Sequence, residues 1–319
     1  MAGLFYFIFI SLFITSFELF SSENKPSELN FKVYYQQENS TSPEVAIMYA
    51  HGFGATQWQG KRLFAKCYGI NGNNEPLTNT CWLYDHPMVF FNFPDAKNDK
   101  LGCHREFVNL AGSLDMEYMT QAHNKARYVL PETKFIGAGV SRGASSWLVF
   151  MSKQPTPDNI VALILEAGFD NIDSIITTLL QHCYASWLPY GKNLGRYVMN
   201  LLFPSLDFTT PSPLDVITTI PQDLPILLIH SRPDKIVPVK CGRALYSKLR
   251  ITNHRNVHYL ELEHGKHGKI IWGNDQETYQ NTVHAFLKEY NLPHCSEFAA
   301  KGQESFATTQ PTIKDLLKL

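Results

Sequence analysis

Lys134-Phe-Ile-Gly-Ala-Gly-Val-Ser141-Arg-Gly-Ala144 is the stretch that decides the fold. Lys134 to Gly137 is a short apolar run suited to a buried strand, and Ala144 to Met151 takes helical character directly after Gly143. A serine on so sharp a strand-to-helix turn has to accept a strained backbone. Only small residues two places before and after it let strand and helix approach that closely. Gly139 and Gly143 occupy both places. Gly-x-Ser-x-Gly arises often by chance, but between a strand and a helix it marks Ser141 as a candidate nucleophile raised at the end of a sheet.

On either side of this turn, short apolar runs alternate with longer amphipathic stretches, the pattern of a mostly parallel α/β sheet covered by helices on both faces. Phe31 to Tyr35 alternates and suits an early edge strand. Val45–Tyr49, Met88–Phe91, Lys134–Gly137, Val161–Leu165, Pro225–Ile229 and Val257–Glu261 are continuous enough for strands hidden on both faces. Helical spacing is carried by Glu106–Tyr128, with Phe107, Leu110, Leu114, Tyr118 and Ala122 on one stripe, and also by Cys241–Leu249 and Thr278–Tyr290. The interval from Gly168 to Leu224 is too long for one crossover. Its helical segments, Ile175–Leu180 and Leu194–Phe203, mixed with Pro204, Pro211, Pro213 and Pro221, predict an inserted cap over about 169–224. The tail, 297–319, is polar with one weak amphipathic turn at Ile313–Leu319, and is expected to be loosely ordered.

A serine hydroxyl needs a base to take its proton and a carboxylate to orient that base. Asp234 follows the strand Pro225–Ile229 in Arg232-Pro-Asp-Lys-Ile-Val-Pro238, and His267 follows the last core strand on a glycine-flanked loop, giving the chain order Ser, Asp, His. His264, three residues nearer the strand end, is the rival base, and Asp170, after Val161–Leu165, is the rival acid. Alone, Pro-Asp would equally suit a turn-forming Asp234. His264-x-x-His267 could suggest a metal, but no further ligand set stands near it, so no metal site and no cofactor is expected. Ala50-His-Gly-Phe-Gly54 follows Val45–Tyr49, where the backbone N–H of Phe53 could join that of Arg142 in an oxyanion hole; the alternative is a plain glycine-rich turn.

With these residues the sequence resembles the α/β-hydrolase superfamily over about residues 31–292, through His51-Gly52, Gly139-Val-Ser-Arg-Gly143, Asp234 and His267. The Asp234 and His267 segments look like those of esterase- and peptidase-related members. The resemblance implies a Ser141–Asp234–His267 triad working through an acyl-enzyme on a small acyl substrate, an ester or thioester or else a short peptide. A binding protein that keeps the fold without the activity is the non-enzymatic alternative. Arg142 departs from the usual pattern: its side chain could favour an anionic acyl group or could pair with a structural carboxylate. The cap residues Tyr184, Trp187, Tyr190 and Phe203 are the expected walls of the acyl pocket.

The 28 basic and 29 acidic residues leave a net charge of −1 with no basic run, so no nucleic-acid partner is expected. Leu4 to Phe20 is almost wholly apolar, and residues 1–22 suit a cleaved secretory signal; the segment is short for a spanning helix and contains Glu18. Export is the expectation, with a membrane anchor through residues 4–20, the one route to membrane contact, or a buried N-terminal helix as alternatives. The domain proper is expected over 28–296. Six cysteines in an exported chain allow disulfides, Cys67 with Cys81 first among the pairings, although unpaired thiols are the alternative. Asn39-Ser-Thr41 would accept a glycan only in a eukaryotic secretory pathway. Nothing in the sequence specifies an oligomeric state.

Overall fold

Each of the expected apolar runs forms a strand in the computed structural model, which describes residues 29–34, 44–57, 59, 87–96, 103–153, 156–182, 191–270 and 273–316. The strands are β1 (Phe31–Tyr34), β2 (Val45–Ala50), β3 (Met88–Phe91), β4 (Lys134–Val140), β5 (Ile160–Glu166), β6 (Ile226–Ser231) and β7 (Val257–Leu262). They make one seven-stranded sheet in the order β1-β3-β2-β4-β5-β6-β7. Only β1, at the edge, runs antiparallel to its neighbour. Its alternating sequence fits that half-covered position.

Side chains of successive strand residues point to opposite faces, and here both faces are buried. Ala46, Met48 and Ala50 of β2 join one apolar core, whereas Val45, Ile47 and Tyr49 join the other. The first core is covered by α1 (Ser113–Val129), α2 (Arg142–Met151) and α6 (Val239–Ile251), and the second by α7 (Gln276–Glu289). Because the strands around β4 are parallel, the loops leaving β2, β4, β5, β6 and β7 all emerge at one edge of the sheet. Between β5 and β6 lie α3 (Ile172–His182), α4 (Gly191–Leu202) and α5 (Pro213–Val216), the expected insertion. The Arg196 guanidinium on α4 donates to both carboxylate oxygens of Asp173 on α3 and ties the first two together.

Two expectations need correction. The helix expected from Glu106 begins at Ser113, after a single 3-10 turn at Arg105–Phe107. The Asn109 amide oxygen accepts the Leu114 N–H and the Asp115 carboxylate accepts the Ala111 N–H, and Leu110 and Ala111 take positive φ, which a right-handed helix does not accommodate. The tail is not loose. It forms α8 (Ser296–Lys301), α9 (Gln303–Ala307) and α10 (Ile313–Leu316). Ala299 and Leu316 are buried, Phe306 stacks on His258, and the Tyr259 N–H donates to the Thr309 carbonyl.

No two of the described cysteines, Cys103, Cys241 and Cys295, are joined by a disulfide. The expected Cys67–Cys81 staple, the apolar N-terminal segment, the Asn39 sequon and the cap residues Tyr184, Trp187 and Tyr190 lie outside the described residues. Among the described residues no helix is long and apolar enough to cross a membrane.

Candidate active site

Ser141 closes β4 at φ 56° and ψ −117°, a backbone that a side-chain-bearing residue rarely adopts. Such a conformation costs about 1–3 kcal/mol and persists only where its surroundings enforce it. Here the Ser141 N–H donates to the Glu166 carbonyl at 2.8 Å, and the Ser141 carbonyl accepts from the Ser145 N–H at 3.0 Å to begin α2. The two glycines of the motif are sterically required. A Cβ on Gly139 would stand 2.7 Å from the backbone of Gly143, and one on Gly143 would fall onto the Ala50 carbonyl. The expectation that small residues let strand and helix converge thus has its physical basis in backbone contacts on both sides of Ser141.

Asp234 leaves the end of β6 with its side chain buried. One carboxylate oxygen accepts the Ile236 and Val237 N–H groups at 2.9 and 3.0 Å, and the other faces His267 Nδ1 at 2.7 Å. The Asx-turn role and the partner role therefore coexist in one side chain. A carboxylate at Nδ1 selects the tautomer that is protonated there and leaves the Nε2 lone pair to act as acceptor. Beside His267, Gly268 has φ +61°, and a Cβ built on it would stand 3.3 Å from Val140, the residue before Ser141. The His267 loop therefore lies against the serine turn.

The rivals are placed elsewhere. His264 is largely exposed and pairs with Asp275, its Nδ1 3.0 Å from the carboxylate. Asp170 accepts the N–H of Asn171 and faces the Cys241 thiol, which burial pushes up to about 12 with the Asp170 charge adding to the effect. Among the described residues no cluster of ligating side chains could hold a metal ion. A second imidazole, His230, lies 3.7 Å from Asp234 and donates through Nε2 to the Val237 carbonyl; burial lowers its pKa.

The loop after β2, where an oxyanion donor is expected, is held from behind. His51 is buried, and burial, aided by the Arg142 charge, lowers its pKa to about 3. Its neutral ring accepts the Phe93 N–H at Nε2, 3.0 Å away, so Nδ1 carries the proton that it donates to the Gly52 carbonyl at 2.8 Å. Gln59 accepts the Gly52 N–H at 2.7 Å. Phe53 is 42% exposed, and its ring meets Phe203 of the cap edge-on with centroids 5.5 Å apart. Arg142 is the first residue of α2, so its N–H has no partner within the helix and faces the helix N-terminal pole.

The side chain of Arg142 is wholly buried. It donates to both oxygens of Asp115 and to Asp95, and its guanidinium lies over the Phe93 ring, 4.3 Å from the centroid. Of the two roles considered for it, the geometry is that of structural pairing. Composition and spacing gave no sign of Asp95, Asp115 or Glu166, because each acts across the fold rather than within a motif.

A cavity of about 260 Å³ lies under the cap between Asn109–Gly112, Phe169, Arg196 and Phe208. None of Ser141, Asp234 and His267 lines it.

Among solved structures, the chain is similar to an esterase of Pyrococcus furiosus, with a TM-score of 0.53, 17% identity, and 79% of this chain and 84% of that one covered. An acylaminoacyl peptidase of Pyrococcus horikoshii aligns with a TM-score of 0.57 and 14% identity over 88% of this chain, but over only 43% of its own longer chain. A lipase-esterase related protein of Clostridium acetobutylicum gives 0.53 and 14%, covering 82% of this chain and 100% of that one. No family model matches the sequence, and no curated protein matches it. The fold is that of the α/β-hydrolases.

Proposed function

We propose that the chain is a serine hydrolase that cleaves a carboxylic ester or thioester of a small acyl substrate through an acyl-enzyme. The observation that carries this is the pairing of His267 Nδ1 with buried Asp234, on a loop lying against the strained turn of Ser141. In this mechanism His267 Nε2 takes the Ser141 proton as Oγ attacks the acyl carbonyl. Asp234 stabilises the imidazolium, and the Phe53 and Arg142 N–H groups receive the oxyanion. The imidazolium then protonates the leaving group, and water, activated by the same imidazole, releases the acid. Phe203, against Phe53, would form part of the acyl wall.

The apolar Leu4–Phe20 segment supports export, with removal of the segment or retention as an anchor. The test of activity is labelling by a fluorophosphonate, followed by turnover of p-nitrophenyl esters of graded chain length and of amino-acid amides. Wild type should label near stoichiometrically, and Ser141→Ala should fold without labelling. Label retained in Ser141→Ala would defeat the assignment of Ser141, and a folded wild type that never labels would favour a non-catalytic binding protein. The structural likeness to an acylaminoacyl peptidase keeps a short-peptide substrate as the second reading. Faster turnover of the amides would establish it.

A further inference from the structure

Glu166 ends β5, in register with Val140 on one side and Ile229 on the other. Its carbonyl holds the Ser141 N–H, while its carboxyl enters the core shared by Tyr49, Val140, Ile270 and Tyr279. Only 1% of the residue is exposed. Neither carboxyl oxygen completes a hydrogen bond of good geometry, although the Tyr279 hydroxyl and the Ile270 N–H both favour the anion. A buried acid without full partners is expensive and calls for a reason. The groups facing it are Tyr49 from β2, Asp234 from the β6 loop, His267 from the β7 loop and Tyr279 from α7. No lysine or arginine is among them. Among the described residues that act on it, the group able to carry positive charge is the imidazole of His267.

We propose that Glu166 is a positioning residue for His267: buried against the Ile270 end of the histidine loop, it sets a second carboxylate behind the imidazolium that forms when the base accepts the serine proton. The inference rests on the hydrolase reading for its use, but not for its measurement. Burial pushes Glu166 up to about 7, against which the neighbouring His267 charge works. An ionised Glu166 favours protonated His267 and makes it a stronger base. Removal of that charge makes the imidazole more acidic.

The experiment follows the His267 ring protons by NMR across pH 4–9 in Ser141→Ala protein, with the resonance assigned by its loss on His267→Gln. Glu166→Gln keeps the shape and removes the charge. It should lower the His267 midpoint by about half a pH unit or more, the order expected when a neighbouring opposite charge is removed from a partly screened interior. Glu166→Asp keeps the charge and should leave the midpoint well above that of the glutamine variant. If Glu166→Gln does not fold, Tyr279→Phe, which removes a group favouring the anion, is read in its place and should shift the midpoint the same way. A His267 midpoint unmoved in the folded variant would overturn the proposal, because a purely structural acid would alter stability alone. Fluorophosphonate labelling of the wild type, run beside it, reports separately on the hydrolase reading. In an active enzyme the acid limb of the kcat/KM profile should move with the NMR midpoint.

Discussion

Arg142→Leu is expected to be among the most destabilising single changes in the domain. Arg142, Asp95 and Asp115 have side chains at most 1% exposed, and the guanidinium serves both carboxylates while lying on Phe93. Removing one member of a buried ion pair leaves an uncompensated charge and costs about 3–5 kcal/mol. Here two carboxylates lose their partner at once, which argues for the upper end. The leucine returns roughly 2 kcal/mol of apolar burial, so a net loss of about 3 kcal/mol is expected. At about 2–4 °C per kcal/mol for a domain of this size, the thermal midpoint should fall by about 10 °C. The assay is reversible urea unfolding followed by fluorescence, with calorimetry beside it. Adding Asp95→Asn and Asp115→Asn should restore part of the loss, because the orphaned charges go with the cation. Arg142→Lys should fall between wild type and leucine, since one ammonium cannot match the planar fork toward two carboxylates. A loss under about 1 kcal/mol for the leucine variant would refute a network that depends on charge, as would a triple variant no more stable than the single one.

Asp234→Asn should lower kcat by about 10⁴ by reversing the favoured tautomer of His267, whereas His264→Ala should keep ester turnover within about twofold because His264 pairs with Asp275, an exposed contact of the kind that contributes little; equal losses in the two would exchange the roles of the histidines. Gly143→Ala should cost about 3 kcal/mol or more, since its Cβ would fall onto the Ala50 carbonyl, and a urea midpoint equal to wild type would show that the turn can open. Stability should fall on acidification from pH 7 to 5.5. Burial lowers His51 to about 3 and His254 and His258 to about 4, so their unfolded forms bind protons below pH 6.5 that the native state refuses until about pH 4. Glu166, raised to about 7, acts in the opposite sense, because its native form takes a proton between pH 7 and 4.5 that the unfolded chain does not. With His123 and His230 lowered in the same sense, the histidines outweigh Glu166 and leave a net slope of about 2 kcal/mol per pH unit or more near pH 5.5, to be read from urea midpoints; a midpoint that is flat or rises would contradict it.

Seven strands were legible because strands buried on both faces must be nearly continuous apolar runs, and the chain offers few others. Where sequence misplaced an element, a side chain had taken over a backbone bond. Leu110 fits the helical stripe through Tyr118 and Ala122, yet Asn109 and Asp115 bind the amides there and delay the helix to Ser113. The tail misled through its polarity. Its few apolar residues, Ala299, Phe306 and Leu316, are enough to seat three short helices once His258 and Tyr259 provide the opposing surface. Ser141, Asp234 and His267 could be proposed from sequence because each follows a strand, in the chain order Ser, Asp, His. Their supporting residues could not, since Asp115 and Arg142 stand 27 residues apart and meet only in the fold.

The candidate oxyanion hole is likewise held by residues that meet only in the fold. Its two donors come from loops 89 residues apart by number, Phe53 and Arg142, which no local preference can align. The alignment is supplied by the ring of Phe93. Arg142 lies on its face, and its N–H fixes His51, whose Nδ1–H in turn holds the carbonyl next to Phe53. Asp95, two residues beyond Phe93, binds the same guanidinium. The loop after β3, which contributes none of the proposed reacting groups, thus sets the spacing between the two amides. A polar change at Phe93 should therefore impair turnover more than substrate binding, because the distance it governs matters only once an oxyanion has formed.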